Sequence, residues 1–254
     1  MFNRKFQIPF STMNLSPFYF VRKSLLILLL GMWFVYSSCE KESAPSVDLK
    51  YDYFPVDTGY WIIYEVEKTT YDDFLDSVVV HTEEIKEVIE SVFEDNSGRP
   101  TYRIERYKRP IDSTQWTIEN VWFANLTATT AERVEDNLRY IKLAFPIKVD
   151  RAWNGNAYIE ITKEIDYLRD WKYQVTELDV PMTIGGFSFD STLTVVHQDR
   201  ETLIEKVYST EQYAKGVGMV YKELQTLEKQ DVNASWTNPK KGYILKMTLK
   251  DYRK

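Results

Sequence analysis

GGFSFDSTLTVV, Gly185 to Val196, is the stretch whose reading decides the fold. Two adjacent glycines supply the positive φ that a tight hairpin turn demands. A two-residue alternation follows at once, with Phe187, Phe189, Leu193 and Val195 on one side and Asp190, Thr192 and Thr194 on the other. That pattern predicts an antiparallel strand with one face in a core and the other wet.

The pattern recurs outward in both directions. Upstream, Trp61 to Lys68 puts Ile62, Tyr64 and Val66 on one face, and Ser77 to His81, Thr101 to Tyr107, Trp116 to Leu126, Leu138 to Ile147, Ala157 to Ile165 and Trp171 to Leu178 read as further strands. Downstream come Thr202 to Tyr208, Met219 to Leu227 and Gly242 to Asp251. In the last of these Tyr243, Leu245, Met247 and Leu249 oppose Lys246, Thr248 and Lys250. Asn96 to Pro100, Asn154-Gly155 and Gly216 to Gly218 punctuate them as turns, and Glu228 to Lys241 is a long polar loop.

Glu83 to Asp95 is ambiguous, because Ile85, Val88, Ile89, Val92 and Phe93 fit helical spacing while two-residue alternation fits in part. The turn and strand that follow favour a hairpin over a helix. Short helical turns are expected at Ala131 to Val134 and at Ser209 to Tyr213, where Ser209 and Gln212 have capping-box spacing. The expected fold is mainly β, a large antiparallel, curved sheet of half-barrel or open-barrel type with one or two short helices.

The N-terminus carries an address. Basic Arg22 and Lys23 precede an apolar run from Leu25 to Tyr36, and small Ser37 and Ser38 precede Cys39, the one cysteine of the chain. These are the three parts of an export signal, and the run is short of the roughly 20 apolar residues a permanent span needs. Met13 offers an alternative start to Met1. An uncleaved anchor or a buried N-terminal helix is the other reading of the same residues. Val35 to Cys39 resembles a bacterial lipobox, with Tyr36 standing where that pattern has an aliphatic residue. The resemblance implies cleavage between Ser38 and Cys39 and lipid attachment at Cys39. The chain then divides into a signal peptide (1–38), a lipidated tether (39–52) and one β-rich domain (53–254).

Composition narrows the function classes. Four of the 32 basic residues, Arg4, Lys5, Arg22 and Lys23, and none of the 38 acidic ones precede Glu40, so the remainder holds 28 against 38 and a formal charge near −10. No basic run offers a nucleic-acid footprint. His81 and His197 are the only histidines and stand far apart, so no metal site is expected. Gly216-Val217-Gly218 lacks the third glycine and following helix of a phosphate loop, and no Gly-x-Ser-x-Gly elbow is present. Asp72, Asp73, Glu83, Glu84, Glu132 and Glu135 could pair for glycoside hydrolysis, and Asp72, Asp73 and Asp76 could approach calcium, but no spacing singles out an acid and a base or a cage. No catalytic residue and no cofactor is assigned. Trp61, Trp116, Trp122, Trp153 and Trp171 either fill a wide core or present a binding surface.

TGYWIIYEV from Thr58, EDNSGRPTYRIERYKR from Glu94 and AKGVGMVYKE from Ala214 resemble uncharacterised envelope lipoproteins of the Bacteroidota type. The resemblance implies a lipid-anchored protein of the outer membrane, with either face open, and carries no activity. Asp76-Ser77-Val78, Asp112-Ser113-Thr114 and Asp190-Ser191-Thr192 are similar to the O-glycosylation motif of such bacteria. Three functions remain in order: a non-catalytic module for a protein or glycan partner, a carrier of an apolar ligand in the curved sheet, and a glycan hydrolase. The first requires a filled core, the second a deep cavity, and the third converging carboxylates with shifted pKa values.

Overall fold

β-Branched and aromatic residues at alternate positions build twelve strands in the computed structural model, which describes residues 47–253. The first six are β1 (Trp61–Asp72), β2 (Ser77–Glu94), β3 (Pro100–Pro110), β4 (Thr117–Leu126), β5 (Thr130–Glu135) and β6 (Leu138–Ala144). The other six are β7 (Ala152–Trp153), β8 (Tyr173–Ile184), β9 (Phe187–Glu201), β10 (Glu205–Ala214), β11 (Gly218–Glu228) and β12 (Lys241–Arg253). They form one antiparallel sheet in the order β6-β5-β4-β3-β2-β1-β12-β11-β10-β9-β8-β7.

Every neighbour in that order is also a neighbour in sequence, apart from β1 and β12, which pair the two ends of the meander. The sheet edges are therefore β6 and β7, themselves consecutive. They meet along a seam where the Ile141 amide donates to the Gly155 carbonyl at 2.8 Å and the Trp153 indole N–H to the Ile141 carbonyl at 2.8 Å. The result is a nearly closed barrel, as the alternation predicted, and closure satisfies most of what would be open edge.

Inward-facing Ile62 and Tyr64 on β1, Ile85 and Ile89 on β2, Leu193 and Val195 on β9, and Met247 and Leu249 on β12 join one apolar cluster. The segment before β1 covers one mouth of the barrel. The Tyr51 hydroxyl donates to the Ala128 carbonyl in the β4–β5 turn (2.9 Å), and the Gly216 amide in the β10–β11 turn donates to the Asp52 carbonyl (2.6 Å). The Tyr53 hydroxyl lies 2.8 Å from Asp179 on β8 and 2.7 Å from Ser191 on β9, while the Tyr60 hydroxyl donates to the Val217 carbonyl. Four separate parts of the rim thus hold one strap of chain.

Several expectations change. Ala131 to Val134 is part of strand β5 and Ser209 to Tyr213 part of β10; the helical turns are instead lone 3₁₀ turns at Tyr51–Tyr53 and Asp166–Leu168. Ladder bonds to both neighbours outweigh capping-box spacing, because the Ser209 hydroxyl is drawn to His197 at 3.3 Å instead of capping a turn. Glu83 to Glu94 is strand, as the turn after it favoured, and continues Ser77 to His81 as the single 18-residue β2. Asn154-Gly155 does not make a hairpin, since Asn154 Oδ1 accepts the Asn156 amide and residues 157–165 hold no strand. The outer face of β9 is wet at Asp190 but not beyond it: Thr192 is fully buried and donates to the Val180 carbonyl, and Thr194 is nearly so.

Candidate functional site

The mouth beneath the N-terminal strap opens into a narrow cleft of about 60 Å³. Its wall is apolar, formed by Pro55 and Val56 of the strap with Ile62, Ile89, Ile104 and Met219 of the barrel. Its floor is polar, formed by Tyr64, Glu87, Arg133, Lys142, Glu211 and Tyr213. Each floor residue sits at an inward position of a strand. Glu87 lies between inward Ile85 and Ile89, Arg133 follows inward Ala131, and Glu211 precedes Tyr213 by the same two-residue step.

The charges of the floor belong to a larger network buried in the lumen. Arg133 donates to Glu87 at 2.9 Å, and Arg106 sits 3.1 Å from the other Glu87 oxygen and 3.6 Å from Glu119. Lys142 donates to Glu211 at 2.9 Å and lies 3.1 Å from Glu135; Lys222 lies 3.4 Å from Glu211, which also accepts the Tyr213 hydroxyl at 2.5 Å. Four carboxylates and four cations thus cancel. The Arg106 guanidinium also stacks 3.7 Å above the Trp122 ring.

Burial alone would raise the Glu135 pKa, but Lys142, Lys222 and Arg133 outweigh it and hold the group at about 2. Burial likewise opposes ionisation of Glu211, and Lys142, His197 and Lys222 with the Tyr213 hydroxyl bond take it well below the usual range. Desolvation pushes the Tyr64 and Tyr213 hydroxyls up, so both stay protonated. Glu135 and Glu211 are therefore fixed anions, poor proton donors at neutral pH, and the cleft presents paired charges with tyrosine hydroxyls rather than a poised acid and base.

Behind this floor stands an arrangement with the connectivity of a catalytic triad. Ser209 Oγ lies 3.3 Å from His197 Nδ1, and His197 Nε2 lies 3.5 Å from Glu211 Oε2. Desolvation lowers the His197 pKa to about 3, its ring stacks 3.9 Å from that of Tyr173, and neither Ser209 nor His197 lines the cleft. The imidazole is thus held neutral and buried, stacked on Tyr173 and set back from the cleft.

Ser38 and Cys39 lie outside the described residues. His81 is exposed on β2 near Glu83, and the structure keeps it apart from His197. Among the described residues no group of three or more His, Asp or Glu side chains is placed to hold a metal ion. Asp72 Oδ1 accepts the Phe74 and Leu75 amides and Asp76 accepts Lys240, so these aspartates shape a turn. Glu84 is buried against Arg109 and Lys250, Glu132 against Arg139, and only Glu135 of the sequence candidates joins the floor network. Trp171 is buried, Trp122 and Trp153 pack on the core, and Trp61 and Trp116 lie under Lys86 and Arg109. Sequence reasoning missed Glu87, Arg133, Lys142 and Glu211, although a charge at an inward position between apolar neighbours was a readable signal.

No protein-family model matches the chain, and no curated protein does. Among solved structures it is similar to an exported-protein candidate with a YmcC-like fold from Bacteroides fragilis, at TM-score 0.40 and 10% identity, covering 79% of this chain and 98% of that one. It is also similar to a lipoprotein candidate from Parabacteroides distasonis, at TM-score 0.38 and 10% identity, with the same shares covered.

Proposed function

We propose that this protein is a lipid-anchored envelope module, non-catalytic, that holds a small amphiphilic molecule in the strapped mouth of its barrel. The observation that carries this reading is the cleft itself: an apolar wall of Pro55, Val56, Ile62 and Met219 above a hydroxyl-bearing and charge-paired floor. The carrier reading moves ahead of the platform because the lining of this cleft, apolar on one side and polar on the other, opens at the strapped mouth. The paired state of Glu87, Arg133, Lys142 and Glu211 favours a ligand whose polar end both donates and accepts over one with a bare charge.

The anchor rests on Arg22 to Cys39, and the outer-membrane location on the resemblance of the segments from Thr58, Glu94 and Ala214 to envelope lipoproteins. Fatty-acid labelling tests it: label is expected on the parent chain and absent from Cys39→Ala, and retained label rejects Cys39 as the site. An anthroyloxy-labelled fatty acid tests the cleft. Saturable one-to-one fluorescence enhancement is expected, weakened at least tenfold by Ala124→Trp, which places an indole among the lining residues. Enhancement that does not saturate, or that Ala124→Trp leaves intact, removes the proposal.

A further inference from the structure

Among the described residues, the β1–β2 hairpin carries a strand edge that no other strand pairs. β2 pairs with β1 along its whole first half, from Ser77 opposite Asp72, with no shift of register. On its other side pairing with β3 begins only at Glu83 opposite Pro110. Ser77 to Thr82, SVVVHT, therefore presents unpaired amides and carbonyls along that side, in a segment with no proline, no bulge and no acidic or basic residue other than His81. Val78, Val79 and Val80 are 55–59% exposed, and Phe74 at the turn is 95% exposed.

Natural sheets blunt such edges, and this one does so elsewhere. β8 breaks its outer edge with Pro181, three register shifts and a left-handed Asp179, which Lys50 and the Tyr53 hydroxyl also bind. The β4 edge beyond Phe123 is covered by Asp136, which accepts from Asn120 and Trp122. Among the described residues only Ser77 to Thr82 combines β-branched side chains, flat register and exposure, the properties of a strand built to receive another.

We propose that a second copy of this chain occupies the edge, paired antiparallel about a two-fold axis at Val79. In that register Val78 faces Val80 of the other copy, Ser77 faces His81 and Asp76 faces Thr82, so no two like charges are opposed. Ser77 to Thr82 holds no carboxylate, so two acidic chains meet there without opposing their acidic side chains. The exposed tip, Phe74 and Leu75, reaches the place where β3 takes over the edge, at Pro110 and the exposed Ile111. Apolar surface that is stranded on one copy thus lands on apolar surface of the other.

Val79→Cys in the full-length chain tests this, with mild oxidation and a non-reducing gel. Self-opposed residues lie about 4.5–5.5 Å apart, within disulfide reach. The parent, whose one cysteine is Cys39, sets the background, and Val149→Cys, exposed in the β6–β7 connection, sets the yield from random collision. Val79→Cys is expected to give at least tenfold more disulfide dimer than Val149→Cys. Adding Val78→Lys and Val80→Lys, which oppose two cations across the axis on exposed positions, is expected to remove the excess while the melting temperature holds. A yield equal to that of Val149→Cys, a dimer indifferent to the lysines, or a product of another mass each overturns the second copy, the last in favour of a different protein.

Discussion

Lys142 on β6 and Glu211 on β10 meet inside the barrel, Nζ to Oε1 at 2.9 Å, although β7, β8, β9 and the seam separate their strands around the wall. Both side chains are buried, 3% and 1% exposed, so neither charge has water as an alternative partner. Removing one leaves the other unpaired at a cost of about 3–5 kcal/mol. Lys142→Met is expected at the lower end of that range, because Lys222 stays 3.4 Å from Glu211. Lys142→Met combined with Glu211→Gln is expected to cost less than the two single changes summed, and urea unfolding of the four chains of the cycle measures the difference.

Acid should destabilise the protein through His197 before it does so through the carboxylates. In the fold the imidazole stays neutral to about pH 3, because burial excludes its charged form. Unfolded, it takes a proton near pH 6.5. Between those values only the unfolded chain binds the proton, so stability falls with falling pH by up to about 1.4 kcal/mol per unit, and above pH 6.5 the group contributes no slope. Glu135, held at about 2, acts in the same direction but only below its ordinary value near 4.5. The window from pH 6.5 to 4.5 thus isolates His197. His197→Phe, which keeps a ring against Tyr173, is expected to flatten the stability profile there by about 2 kcal/mol relative to the parent. Urea midpoints at pH 7, 5.5 and 4.5 provide the comparison, and parallel profiles would sink the assignment.

The architecture was legible wherever a strand keeps one apolar face. β1, β11 and β12 run within a few residues of their expected bounds because Ile62-x-Tyr64-x-Val66 and Met247-x-Leu249 announce both period and orientation. Local signals failed where distant groups used the same atoms. Ser209 and Gln212 have helix-start spacing, but β9 and β11 bracket them and the Ser209 hydroxyl turns to His197. Asn154-Gly155 looks like a two-residue turn, but Gly155 is needed as a flat spot against Tyr173. The site was hidden for a different reason. Glu87, Arg133 and Glu211 each interrupt an apolar face visibly, yet their pairing crosses the lumen between strands far apart in the chain, and no periodicity encodes which strands face one another.

Gly155→Ala should open the seam. A Cβ there would lie 2.4 Å from the Tyr173 ring, which cannot retreat because His197 stacks on its face and the Asn156 amide oxygen lies 3.3 Å from its hydroxyl. Overpacking of this kind costs about 1–3 kcal/mol. The Gly155 carbonyl also accepts the Ile141 amide across the seam, so relief by backbone movement breaks that bond. The expected result is a melting temperature lowered by several degrees, with amide exchange of Ile141 accelerated more than that of the β1–β12 ladder. Equal acceleration at both places would show a general loss of stability with no local opening.

The strap should govern ligand exchange more than it governs stability. Tyr53 is fully buried and ties the strap to β8 and β9 through its hydroxyl, which desolvation pushes up to about 12 so that it remains a donor at neutral pH. Tyr53→Phe keeps the ring and removes both bonds, leaving Asp179 to Lys50 and Ser191. The loss is about 1–2 kcal/mol, felt first by the strap because Pro55 and Val56 of the cleft wall follow within three residues. A fatty-acid probe is therefore expected to dissociate roughly fivefold to twentyfold faster from Tyr53→Phe than from the parent, with global unfolding little changed. Stopped-flow displacement measures the rate. Unchanged release would place probe entry elsewhere than at the strapped mouth.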